Sequence, residues 1–215
     1  SGLGLVLVGQ NNQGWFSGGL TADTTSRSSP VIVGAYSNWT QVSGGSFQTV
    51  AIQSPGTLWA TGLNSSGQLG LNTTTNYSSF IQIGTASNWS SVSTGFNSTA
   101  GIQKPGILWT WGNNSYGQLG TNSSTLTAVS TPVLISTSAW NQLRGGQYFS
   151  LGIQTNGTLW SWGLNSWGQL GTSNQTNYSS IVQIGSSTNW SIVAAGFSHS
   201  IALQTPGTLW SWGLN

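Results

Sequence analysis

The sequence predicts an all-β protein built from four-stranded antiparallel units that repeat about every 50 residues. Three observations carry that expectation. Gly-x-Leu-Trp recurs with its tryptophan at Trp59, Trp109, Trp160 and Trp210, at spacings of 50, 51 and 50 residues. A second tryptophan series, Trp39, Trp89, Trp140 and Trp190, keeps the same spacings in another phase, and Gly-Gln-Leu-Gly recurs at 67–70, 117–120 and 168–171. The composition fits as well: 13 Trp and 31 Gly in 215 residues imply large packed side chains separated by tight turns.

Within one period four short runs read as strands. In the last full unit they are Ile181 to Gly185, Trp190 to Ala195, Ser200 to Gln204 and Thr208 to Trp212. Turn residues bound each run, as short antiparallel strands require. The second and third runs meet at a corner marked by Gly45, Gly95, Gly146 and Gly196. The third and fourth meet at Ser54-Pro55-Gly56, Lys104-Pro105-Gly106, Thr155-Asn156-Gly157 and Thr205-Pro206-Gly207. Pro presets φ and Gly accepts positive φ, so these are reversals. Four antiparallel strands per unit is the pattern of β-propeller blades.

At these residues the chain resembles the RCC1-type repeat family (regulator of chromosome condensation). The matching text runs from Gly157 through Leu159, Trp160 and Trp162 to Gly168-Gln169-Leu170-Gly171, then from Val193 to Leu203. The resemblance covers nearly the whole chain and implies β-propeller blades. The family usually closes seven blades and includes nucleotide-exchange factors, ubiquitin ligases and secreted inhibitors, so it implies no single function. The first unit departs most: Leu5 to Gly9 stands in the Leu-Trp position, and Trp15-Phe16-Ser17 replaces Gln-Leu-Gly.

The expected organisation is one domain, 1–215, with units of about 5–57, 58–107, 108–158 and 159–208 and a surplus strand at 209–215. A chain without an initiator Met or leader reads as a processed product or a fragment. Four units leave three arrangements open: part of a larger propeller, an open array, or a subunit whose blades a neighbour completes. An unpaired strand is a template for pairing between chains.

Charge excludes several functions. Only Asp23, Arg27, Lys104 and Arg144 are formally charged, about a tenth of the usual density. No Lys/Arg cluster exists to release counterions from nucleic acid. One acid, one histidine and no cysteine make acid–base catalysis and a metal centre poor readings, and no cofactor is expected. His199 lies between two serines, but its phase is filled elsewhere by Gln48, Ser98 and Phe149, which points to packing or a local hydrogen bond. No apolar run approaches the ~20 residues of a membrane span.

The two periodic tryptophan series read as blade packing. Aromatics outside them are the candidates for exposed contacts: Tyr77, Tyr116, Trp167 and Tyr178, flat rings able to stack on sugars or on a partner. Twelve Asn-x-Ser/Thr acceptors follow from the sequence: Asn38, Asn64, Asn72, Asn76, Asn88, Asn97, Asn113, Asn122, Asn156, Asn174, Asn177 and Asn189. A nearly uncharged surface needs hydration by polar residues or glycans, or burial in an assembly.

The expectation is therefore a non-catalytic, secreted or surface-displayed structural protein. It forms a filament, sheath or layer, with adhesion as an added role, and its partners are copies of itself, joined by strand or blade pairing. The alternative is a secreted propeller module that recognises a protein, as an inhibitor does, or a glycan through its loop face.

Overall fold

Trp39, Trp89, Trp140 and Trp190 each begin a strand that pairs with the next, which pairs in turn with a third, through tight hairpins. The computed structural model describes residues 28–29, 32–33, 37–123 and 125–214. The first sheet contains β1 (Trp39–Gly44), β2 (Gln48–Gln53), β3 (Thr57–Gly62) and β4 (Tyr77–Gln82), hydrogen-bonded in that order. The second contains β5 (Trp89–Thr94), β6 (Ser98–Gln103), β7 (Ile107–Gly112) and β8 (Val129–Ser136). The third contains β9 (Trp140–Gly145), β10 (Phe149–Gln154), β11 (Leu159–Gly163) and β12 (Tyr178–Gln183). The last has three strands: β13 (Trp190–Ala195), β14 (His199–Gln204) and β15 (Thr208–Gly213). All pairings are antiparallel, as a chain of all-β four-stranded blades predicts. A bulge follows the opening tryptophan of every first strand, where the register shifts by one residue.

The period is as expected, but its phase relative to the sheets is not. The run expected at Ile181 to Gly185 is β12, which starts three residues earlier. It pairs with β11, its predecessor in the chain, and not with the strands that follow. The Gly-Gln-Leu-Gly turns are thus loops inside a blade, between its third and fourth strands. Sequence spacing alone cannot say which of two flanking strands a long loop keeps in its own sheet. The strand expected as surplus at 209–215 is accordingly β15, the third member of the last sheet, fully paired to β14. The divergent strand at Leu5 to Gly9 and the Trp15-Phe16-Ser17 turn lie outside the described residues.

Three cores fill the junctions between successive blades, and each takes side chains from both sides. Val50, Ile52, Leu58 and Leu69 of the first blade meet Trp89, Val92 and Trp111 of the second. Ile102 and Leu108 meet Trp140, Leu143 and Trp162 at the next junction. Phe149, Leu151 and Leu159 meet Val193 and Ala202 at the last. Full burial of each such side chain is worth about 1.5–3 kcal/mol. In the second and third blades the opening tryptophan lies over a glycine of the second strand: a Cβ on Gly101 would come within 2.6 Å of the Trp89 ring, and one on Gly152 within 2.6 Å of Trp140.

A polar clamp fixes each junction. The carbonyl of Gln68, in the first blade's Gly-Gln-Leu-Gly turn, accepts from Thr99 Oγ1 (2.9 Å) and Trp111 Nε1 (3.0 Å) of the second. Gln118 O accepts from Ser150 Oγ (3.2 Å) and Trp162 Nε1 (2.8 Å), and Gln169 O from Ser200 Oγ (2.7 Å) and Trp212 Nε1 (2.9 Å). Buried indole and hydroxyl donors need such acceptors, so the turn sequence is a fastening between blades. Asn64, Asn114 and Asn165 hold the turns by accepting from Leu69 N, Leu119 N and Leu170 N. Gly70 has φ +74°, and a Cβ there would lie 2.8 Å from Trp111 Nε1, across the clamp itself.

Candidate functional site

The position shared by Gln48, Ser98, Phe149 and His199 is the second-strand start at each junction. The first three are buried as the next blade covers them, and Gln48 Nε2 donates to Gly95 O across the gap. His199 is exposed instead. With Ile201, Ser211, Trp212, Gly213 and Leu214 it lines a cleft of about 630 Å³ on the uncovered face of the last sheet. Among the described residues no acid joins it, and Asp23 and Arg27 lie outside them. Among the described residues no group of three or more His, Cys, Asp or Glu side chains could hold a metal. Lys104 and Arg144 are exposed on separate elements, and Arg144 Nη1 donates to Leu143 O. No helix is long and apolar enough to cross a membrane among these residues.

The last sheet is the most unusual surface. In the complete blades a fourth strand lies along the third, pairing Trp59 with Gln82, Trp109 with Leu134 and Trp160 with Gln183. In those blades, with the next blade packed on them as well, Leu58, Leu108 and Leu159 are at 0% exposure. Along β15 no fourth strand is paired among the described residues, and the equivalent Leu209 is 69% exposed and Trp210 49%. Ile192, Phe197 and Leu214 are also exposed on this sheet or beside it.

The tryptophan series pack as expected. Trp89–Trp109, Trp140–Trp160 and Trp190–Trp210 meet edge to face with centroids 6.1–6.4 Å apart. The four candidate contact aromatics divide. Trp167 (54%) and Tyr116 (38%) are exposed at the tips of the Gly-Gln-Leu-Gly turns. Tyr77 and Tyr178 are half-buried and open β4 and β12, where they pack on the first and last junction cores. Lying outside the tryptophan series did not leave them exposed, because each begins a strand. The structure also shows an aromatic ladder that the periodicity hides. Phe47 contacts Phe96 at 6.0 Å, Phe96 contacts Tyr148 at 5.6 Å, and Tyr148 contacts Tyr116 at 5.0 Å. Phe96 stands one position out of phase with Phe47 and Tyr148, so no repeat alignment flags it.

The Asn-x-Ser/Thr sites divide too. Asn64 is fully buried, its side chain committed to Leu69 N and Thr73 O. Asn76, Asn97 and Asn113 are half-buried. Asn88, Asn174 and Asn189 are exposed, but their Nδ2 donates to Lys104 O, Tyr178 Oη and Thr205 O. Asn38, Asn72, Asn122, Asn156 and Asn177 are exposed with Nδ2 uncommitted.

Residues 105–153 and 156–203 match the regulator of chromosome condensation (RCC1) repeat. Those two stretches make up a little under half of the chain. Solved structures agree on the fold: human WBSCR16 is 23% identical with a TM-score of 0.75, over 88% of this chain and 51% of that one. Yeast RCC1 (Prp20), solved bound to Kap60, is 21% identical with a TM-score of 0.75, over 87% of this chain and 47% of its own. The ectodomain of the Physcomitrella patens receptor kinase CR4 is 18% identical with a TM-score of 0.56, over 86% and 44%. The chain spans about half the length of the solved structures it matches. No curated protein matches it in sequence.

Proposed function

We propose that this RCC1-type chain is a non-catalytic structural protein of the extracellular surface, a subunit of a filament, sheath or layer with adhesion as an added role. The near-absence of charge carries this reading: four charged residues in 215 leave little repulsion to keep copies apart. Among the described residues no fourth strand lies along β15, and its Leu209 and Trp210 are exposed. An unprotected edge with apolar residues recruits a strand, and no charged residue lies in β15 to prevent it. The uncovered face beside His199 offers a copy's blade the same kind of junction that the interior blades make. Near-absence of charge favours close association of copies, and Asn38, Asn72, Asn122, Asn156 and Asn177 are the positions best placed to carry glycans.

The test is negative-stain electron microscopy and size-exclusion chromatography of the chain and of Leu209→Lys, a charge on the open edge. Filaments, sheets or discrete oligomers that Leu209→Lys dissolves are the expected result. A monomer at every concentration would overturn the reading and leave the secreted binding module in its place.

A further inference from the structure

The second blade breaks a pattern that its neighbours keep. Trp59 Nε1 donates to Thr57 Oγ1 at 3.0 Å, and Trp160 Nε1 donates to Thr158 Oγ1 at 2.8 Å. Ile107 stands in the same phase of β7, and Trp109 Nε1 is buried without an acceptor. Unpaired indole donors at Trp89, Trp140 and Trp190 recur at one repeat position and belong to the blade architecture. The one at Trp109 belongs to this blade among those described.

Trp109 borders a cleft of about 470 Å³ between the first and second blades. That volume lies in the range of small-molecule sites. Its apolar surface includes Leu71, Ile83 and the rings of Trp89 and Trp109. Its polar groups are amides. Asn72 and Gln103 make no side-chain hydrogen bond within the described residues, and Gln82 commits only Nε2, to Gly84 O at 3.1 Å. No ionisable side chain lines it. The equivalent cleft at the next junction holds about 290 Å³, and there Leu134 stands where the first has Gln82. Trp160 beyond it is capped by Thr158. Free amides, uncapped indole and larger volume therefore coincide at a single junction.

We propose that this cleft binds a neutral sugar ring. Indole surfaces take up the C–H face of a pyranose, and primary amides both donate to and accept from its hydroxyls. A lining without charge offers nothing to an ionic ligand. The proposal stands apart from self-association, since the cleft is remote in sequence from β15 and belongs to a complete junction.

The test is NMR of ¹⁵N-tryptophan-labelled protein, made without N-glycosylation so that Asn72 is free. It is titrated with glucose, N-acetylglucosamine and cellobiose, with glucuronate as the charged control. The expected result is a saturable shift of the Trp109 indole resonance with at least one neutral sugar. Gln103→Leu should weaken that affinity about tenfold. Ile107→Thr, which restores the cap of the other blades, should keep the folded spectrum and weaken binding as well. No saturable shift at about 10 mM of any neutral sugar would overturn the proposal. So would equal affinity in Gln103→Leu, or a response to glucuronate as strong as to the neutral sugars.

Discussion

β7 and β15 are nearly the same strand in two settings. Ile107-Leu108-Trp109-Thr110-Trp111-Gly112 lies between two paired strands, and Thr208-Leu209-Trp210-Ser211-Trp212-Gly213 has only β14 paired beside it among the described residues. Leu108 and Trp111 are wholly buried, whereas Leu209 is exposed and Trp212 half-buried. Sequence supplies both strands with the same apolar face, and only the neighbouring strand and blade convert that face into core. Burial is a property of the array, as in other repeat proteins whose stability sums over interfaces.

The comparison can be broken most forcefully at the tryptophans. Trp162→Ala removes a fully buried ring and a clamp donor and should cost about 3–5 kcal/mol in denaturant unfolding. Trp212→Ala removes the same clamp donor from a half-covered site and should cost roughly half as much. Equal losses would mean that the last sheet is as well packed as the others. Glycines sharpen the same contrast on a smaller scale. Gly70→Ala drives a methyl into the Trp111 clamp at positive φ, and about 2–3 kcal/mol of destabilisation is expected. Gly185→Ala, at φ +60° with open space around it, should lose only about 1–2 kcal/mol. Thermal melts of the pair decide it. Removing one clamp hydroxyl, as in Ser150→Ala, should cost about 1–2 kcal/mol. The smallest effect concerns solution conditions. With one acid and one histidine in the chain, moving from about pH 8 to about pH 4 should shift Tm by no more than about 2–4 °C. A large acid-induced loss of structure would show that a titrating group matters more than this composition allows.

Much of this was legible in the sequence. The strict tryptophan spacing and the Pro-Gly and Asn-Gly reversals located the first three strands of each unit to within a residue or so, because hairpins are local. The membership of the fourth strand was not legible, since a loop of some 14 residues separates Gly163 from Tyr178 and either flanking sheet satisfies the same pattern. Phe47, Phe96 and Tyr148 stayed hidden because the ladder crosses two phases of the repeat. The consequence of Ile107 was equally invisible: an apolar residue in a strand looks ordinary until its threonine counterparts are seen capping indoles. The sequons were legible as a motif, but which asparagine nitrogens are free depends on hydrogen bonds that span the turns.

The central proposal is that copies of the chain associate, with β15 as the strand that pairs between them. The most direct measurement is sedimentation velocity of the chain beside a version extended after Gly213 by a copy of residues 164–183, the loop and fourth strand of the preceding blade. If the claim holds, the native chain sediments as concentration-dependent oligomers and the extended one as a monomer with a higher Tm, Leu209 now covered. Oligomers that persist unchanged in the extended chain would contradict it and move the association to another surface.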